Sequence, residues 1–152
     1  MYLVCNLRLS MQSRSNYLDS GHTFTRMKMD LESAAGKHAE WKVKFRAAIT
    51  KKEQMDVASI CKDNCCELGK WLHAEGKAAH GHVSEFAQVI AKHRDFHVEA
   101  GKVASLINWQ KYDEAERMLS SPTYSAASTD VVSALLRLKK VISTRDAAKH
   151  AA

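Results

Sequence analysis

Residues 83–107 read VSEFAQVIAKHRDFHVEAGKVASLI, and the spacing of the apolar positions in this stretch decides the fold. Val83, Phe86, Ile90, His93, His97, Ala100, Ala104 and Ile107 recur at steps of three and four, the period that aligns side chains on one face of an α-helix. Two histidines, His93 and His97, therefore stand one turn apart inside an apolar stripe. Upstream, Met27, Leu31, Ala34, His38, Trp41, Phe45 and Ala48 step in the same way and predict a second helix with one histidine on its buried face. Between the two, Asn64 followed three residues later by Glu67 predicts a capping pair for a helix through Leu68, Trp71 and Leu72, with Cys66 in its first turn. Gly76 to His82 reads as a loop. Downstream the phase breaks after Asn108, a short helical piece spans about Asp113 to Leu119, and Ser120-Ser121-Pro122 leads into a last helix with Ser128, Val131, Leu135, Leu138 and Ile142 on one face.

Three long helices and a shorter one predict an all-α protein, an antiparallel four-helix bundle with an additional short helical segment. The composition agrees: 152 residues suit one domain, 45% are hydrophobic, and six Gly and one Pro are too few for the turns of a sandwich or barrel. Residues 1–26 are rich in Ser, Asn, Thr and Arg without periodicity and read as a poorly ordered leader or linker. The bundle is expected over 27–145 and a flexible tail over 146–152. The net charge of +6 comes from Lys and Arg spread along the chain with few aromatics beside them, which is the pattern of solvated helix faces rather than a nucleic-acid footprint. No apolar run approaches the roughly 20 residues of a membrane span, and Met1 to Cys5 is too short for a secretory signal. A cytoplasmic protein is the expectation.

The chemistry lies in side chains that would be costly to bury alone. His93 and His97, at i and i+4, are close enough to share one ion. By itself such a pair also fits two partly buried histidines bonded to carbonyls. His38 and Cys66, however, also fall where their own helices should face the core, and one cation held by all four would satisfy them together. Three nitrogens and a thiolate suit tetrahedral zinc, and a full protein shell leaves no open position for a substrate. The cysteines at 5, 61, 65 and 66 are bunched rather than spaced as a secreted disulfide framework.

His38-Ala-Glu-Trp41, Cys66-Glu-Leu-Gly-Lys-Trp71 and His93-Arg-Asp-Phe-His97 resemble, in order and spacing, the HxxW, CxLGxW and HxxxH signatures of the chemoreceptor zinc-binding domain. The resemblance covers residues 27 to about 145, and its middle hexapeptide is the most specific part. It implies a four-helix bundle, often dimeric, that binds one Zn2+ per subunit through His38, Cys66, His93 and His97. It also implies a sensory or regulatory domain of bacterial signal transduction, attached to a chemoreceptor or a diguanylate cyclase and responsive to zinc or oxidants. The chain contains neither a signalling hairpin nor a cyclase domain, so the output is expected from a partner signalling protein or from a missing part of a longer chain.

Several residues carry competing readings. Trp41 and Trp71 are read as core that walls the metal site against water, and Gly69 as the gap that lets a neighbouring helix approach. Asp63, three residues before Cys66, fits either a hydrogen bond around the metal shell or a simple turn. Vicinal residues on a helix point about 100° apart, so only one of Cys65 and Cys66 faces the site; the family motif selects Cys66, which would also be the redox-reactive residue. Cys61 and Cys65 are then a packed or semi-exposed pair, with a resolving role open to them. His73, His80 and His82 read as loop residues ahead of a second surface metal site. A zinc-stabilised dimerisation or adaptor module is the closest alternative function. A metal-dependent enzyme ranks behind it, because the helix seams hold no carboxylates for a di-iron centre and a hydrolase needs an open ligand position.

Overall fold

A computed structural model describes residues 29–151. Among these residues the chain is all-α, with eight helices: α1 Leu31–Ala39, α2 Trp41–Lys51, α3 Val57–Ile60, α4 Glu67–His73, α5 Glu75–His80, α6 Ser84–Asn108, α7 Tyr112–Leu119 and α8 Pro122–His150. The expected leader, residues 1–26, and Met27 lie outside the described residues.

α1 starts where Asp30 accepts hydrogen bonds from the Glu32 and Ser33 amides at 3.0 and 3.1 Å, which satisfies donors that a helix start otherwise leaves free. The helix expected to run unbroken past Trp41 is interrupted at Glu40. That residue keeps α-region dihedrals (φ −72°, ψ −15°), so α2 continues nearly the same rod and still buries Phe45 and Ala48. α2 stops at Lys52, which adopts a left-handed conformation with φ 56°. Such an ending is common at helix C-termini, although glycine is the usual residue there.

α6 is the central rod. It packs against α8, α7, α3 and α2, while α1 lies along α8. Phe86, Val89, Phe96, Val103 and Ile107 from α6 meet Leu135 and Leu138 of α8, Leu119 of α7 and Phe45 of α2 in one buried core. The Asn108 side chain closes the far end of α6 by accepting from the Met55 amide (2.8 Å) and donating to the Met55 carbonyl (2.9 Å). This clamp holds the segment leading into α3 against α6. α8 opens with Pro122 at its first position and Ser121 as cap, its hydroxyl accepting from the Tyr124 amide. It runs to His150, so residues 146–150, expected as a flexible tail, are helical.

Two expectations need correction near the middle of the chain. The segment from Gly76 to His80, read as loop, is mostly the short helix α5, separated from α4 by an unusual backbone conformation at Ala74 (φ −123°, ψ −104°). Buried Gly76 presses on the Trp71 ring, where a Cβ would come within 2.7 Å of the ring carbons. The cap of α4 is Cys66 rather than Asn64: its Sγ accepts from the Gly69 amide at 3.2 Å. No helix among the described residues is long and apolar enough to cross a membrane.

Candidate metal centre

His38, Cys66, His93 and His97 come together in the core, each offering a ligand atom, and these atoms all lie within 4.8 Å of one another. The three histidines are buried and Cys66 is half-buried. Three elements supply the four residues. His38 sits in the last turn of α1, and His93 and His97 lie on consecutive turns of α6. Cys66 is held by its place at the start of α4, with extended backbone (φ −76°, ψ 164°) that turns Sγ back over the first turn.

Backbone carbonyls set the orientation of two rings. His38 Nδ1 lies 2.7 Å from the Ala34 carbonyl oxygen, and His97 Nδ1 lies 2.7 Å from that of Ile60. A carbonyl only accepts, so each Nδ1 carries the proton and each Nε2 keeps a lone pair. His97 Nε2 is 3.0 Å from His93 Nε2, which is in turn 3.3 Å from Cys66 Sγ. His38 Nε2 is buried without a hydrogen-bond partner. An unpaired buried acceptor is costly in a native core; a cation held by this nitrogen removes the cost. The donor set of three imidazole nitrogens and one thiolate, with outer hydrogen bonds already fixing two tautomers, fits zinc.

The electrostatics keep the site ready for a cation. Burial pushes the His38 imidazole down to about 4 and His93 down to about 2, and burial also lowers His97, so the rings are neutral at pH 7. Burial pushes the Cys66 thiol up, against the opposing effect of the Gly69 amide. The protein alone thus favours the thiol at this position, and the thiolate needs the charge of a bound cation.

The surroundings differ in part from the sequence reading. The aromatic ring against His38 is Phe96, in edge-on contact with centroids 5.3 Å apart, and Phe96 also touches His97. Phe96 lies one position away from the three-and-four stripe that contains the two histidines, so the period of that stripe does not point to it. Trp41 packs on Phe45, with the Lys44 ammonium 5.2 Å from its ring centre, and Trp71 packs on Phe86 and His80. Gly69 admits the chain's own loop rather than another helix: a Cβ there would stand 1.9 Å from the Asp63 carbonyl oxygen. The Asp63 carboxylate faces His73 Nε2 at 3.3 Å, while its charge is felt at both Cys66 and His97. Cys61 is an exposed free thiol at the end of α3, and its Cβ lies where a side chain on Gly101 would be, 2.7 Å away. Gly101 thereby lets the turn that carries the Ile60 carbonyl settle on α6, a role that no sequence motif announced.

A family model described as the chemoreceptor zinc-binding domain matches residues 38–104, a span that begins at His38 and includes the other three clustered residues. Searches of curated proteins and of solved structures give no match.

Proposed function

We propose, from the match of residues 38–104 to the chemoreceptor zinc-binding domain, that His38, Cys66, His93 and His97 hold one zinc ion, and that the chain is a sensory or regulatory module of bacterial signal transduction. The observation that carries this reading is the convergence of one thiol and three neutral imidazoles within 4.8 Å in a buried setting. When bound, zinc supplies a fixed positive charge that stabilises the Cys66 thiolate and links α1, α4 and α6. The residues around it orient the rings and exclude water. On this reading the helices form an antiparallel four-helix bundle, which acts in the cytoplasm as a homodimer or with a signalling partner.

Two signals fit such a centre. Loss of zinc leaves His38 Nε2 and its neighbours unsatisfied, which loosens the contact between α1, the start of α4 and α6. Alternatively, a peroxide oxidises Cys66: the sulfur attacks one peroxide oxygen, the O–O bond breaks, hydroxide leaves, and the sulfenic acid so formed is a poorer ligand. A catalytic role is not proposed, because four protein ligands complete a tetrahedral shell. The burial of three of the four ligands favours one second reading, a zinc-stabilised dimerisation or adaptor module that signals nothing.

Metal content of the purified protein, measured by elemental mass spectrometry for the wild type beside Cys66→Ala and His97→Ala, tests the assignment. One zinc per chain in the wild type and a loss in both variants is expected. Full zinc retained in both variants, or none in the wild type, overturns it. Quaternary state and partner binding that do not change when the metal is removed would select the structural module.

A further inference from the structure

The three imidazoles of the centre are not equivalent, and their protons show why. His38 and His97 each commit Nδ1–H to a carbonyl, of Ala34 and Ile60 respectively, so their Nε2 atoms are already lone-pair donors. His93 has no such brace. Its Nδ1 is buried with no hydrogen-bond partner, while its Nε2 stands 3.0 Å from the His97 Nε2 lone pair and 3.3 Å from Cys66 Sγ. A neutral imidazole has one N–H to place. On Nε2 that proton can be donated to His97; on Nδ1 it meets no acceptor.

We infer that His93 carries its proton on Nε2 when no cation is bound and on Nδ1 when one is, and that it is the only ligand histidine to change tautomer. The inference rests on the four-ligand zinc assignment above. The proton balance is explicit: loading needs a lone pair at His93 Nε2, so that proton passes to water while Nδ1 takes one from water. The Cys66 thiol proton also leaves, and one proton per chain is released in total. The consequence is a loaded state with a buried Nδ1–H that no protein group accepts, the kind of group whose desolvation is not recovered. His93 is thus an affinity-setting residue.

The test is long-range 1H–15N correlation of the side chains in the full-length wild-type protein labelled with 15N-histidine, metal-free and after one equivalent of zinc. Expected without metal are Nδ1–H for His38 and His97 and Nε2–H for His93; with zinc, all three show Nδ1–H. If zinc binds but His93 already shows Nδ1–H beforehand, or keeps Nε2–H afterwards, the inference fails while the metal centre stands. If no zinc is bound, the metal-centre assignment fails and takes the inference with it.

Discussion

The Nε2 atoms of His93 and His97 lie 3.0 Å apart on consecutive turns of α6, too close for two facing lone pairs unless a proton or a cation lies between them. His38 Nε2 and Cys66 Sγ complete the group within 4.8 Å. The whole centre is therefore a competition between protons and metal, and pH is its most direct probe.

Zinc affinity should rise with pH with a slope of one proton. Burial pushes His38 down to about 4 and His93 down to about 2, and lowers His97 below its ordinary 6.5, so between pH 7 and 8 the rings are neutral. Burial lifts the Cys66 thiol above its ordinary value of 9.0, and that one proton must leave for each ion bound. Competition titrations should show roughly a tenfold gain in affinity per pH unit, about 1.4 kcal/mol. A slope of two or three would mean that histidines are protonated in the metal-free site.

Metal-free protein should be acid-labile through the same histidines. Their folded pKa values lie below the ordinary 6.5, so above pH 6.5 folded and unfolded chains bind the same protons at these rings. As pH falls below 6.5 the unfolded chain takes up protons that the folded one refuses, and stability drops by about 1.4 kcal/mol per unit for each ring. The penalty from His38 is complete near pH 4, while that from His93 keeps growing towards about 2. Urea midpoints of metal-free protein between pH 7 and 5 report this directly; a flat profile would mean that the rings are solvated when zinc is absent.

The four clustered residues were legible in the sequence because each sits on an apolar stripe or in a distinctive hexapeptide, and periodicity is a strong signal over a helix as long as α6. What escaped depends on the backbone. Cys66 caps α4 because its own dihedrals turn Sγ onto the Gly69 amide, whereas residue type alone points to Asn64. The α5 turn hides behind Gly76 and Gly81, two residues that signal loops, because the Trp71 ring leaves no room for a side chain at Gly76. The Ile60 carbonyl that orients His97 comes from a four-residue helix with no period to detect. Side-chain lists show donors for metals but not the carbonyls that aim them.

Two glycines should respond in opposite directions to alanine. At Gly69 a Cβ would lie 1.9 Å from the Asp63 carbonyl oxygen, a backbone atom that cannot step aside. Gly69→Ala must push the 61–66 loop off α4 and displace Cys66, at a cost of about 1–3 kcal/mol in folding together with weaker zinc binding. At Gly36, in the exposed middle of α1, nothing lies within 4 Å of the added carbon. Gly36→Ala should stabilise by about 0.5–1 kcal/mol through helix propensity, with zinc affinity unchanged. Chemical denaturation and zinc competition on both variants check the pair, and equal effects would remove the steric argument.

Tyr124 offers a test of the core independent of metal. It is fully buried on α8 between Phe45 and Phe96, and its hydroxyl has no hydrogen-bond partner. Burial accordingly pushes its ionisation far up. A buried hydroxyl without a partner carries a desolvation cost that folding does not recover, on the order of 1–3 kcal/mol. Tyr124→Phe deletes the oxygen, keeps the ring on which Phe45 and Phe96 pack, and leaves a gap smaller than a methyl group. The variant should therefore be more stable than wild type by about 1 kcal/mol, visible as a higher urea midpoint at an unchanged slope. Because Phe96 lies between Tyr124 and the rings of His38 and His97, zinc affinity should stay the same. A loss of stability in Tyr124→Phe would reveal an acceptor for this hydroxyl, and a loss of zinc affinity would show that it steadies the histidines through Phe96.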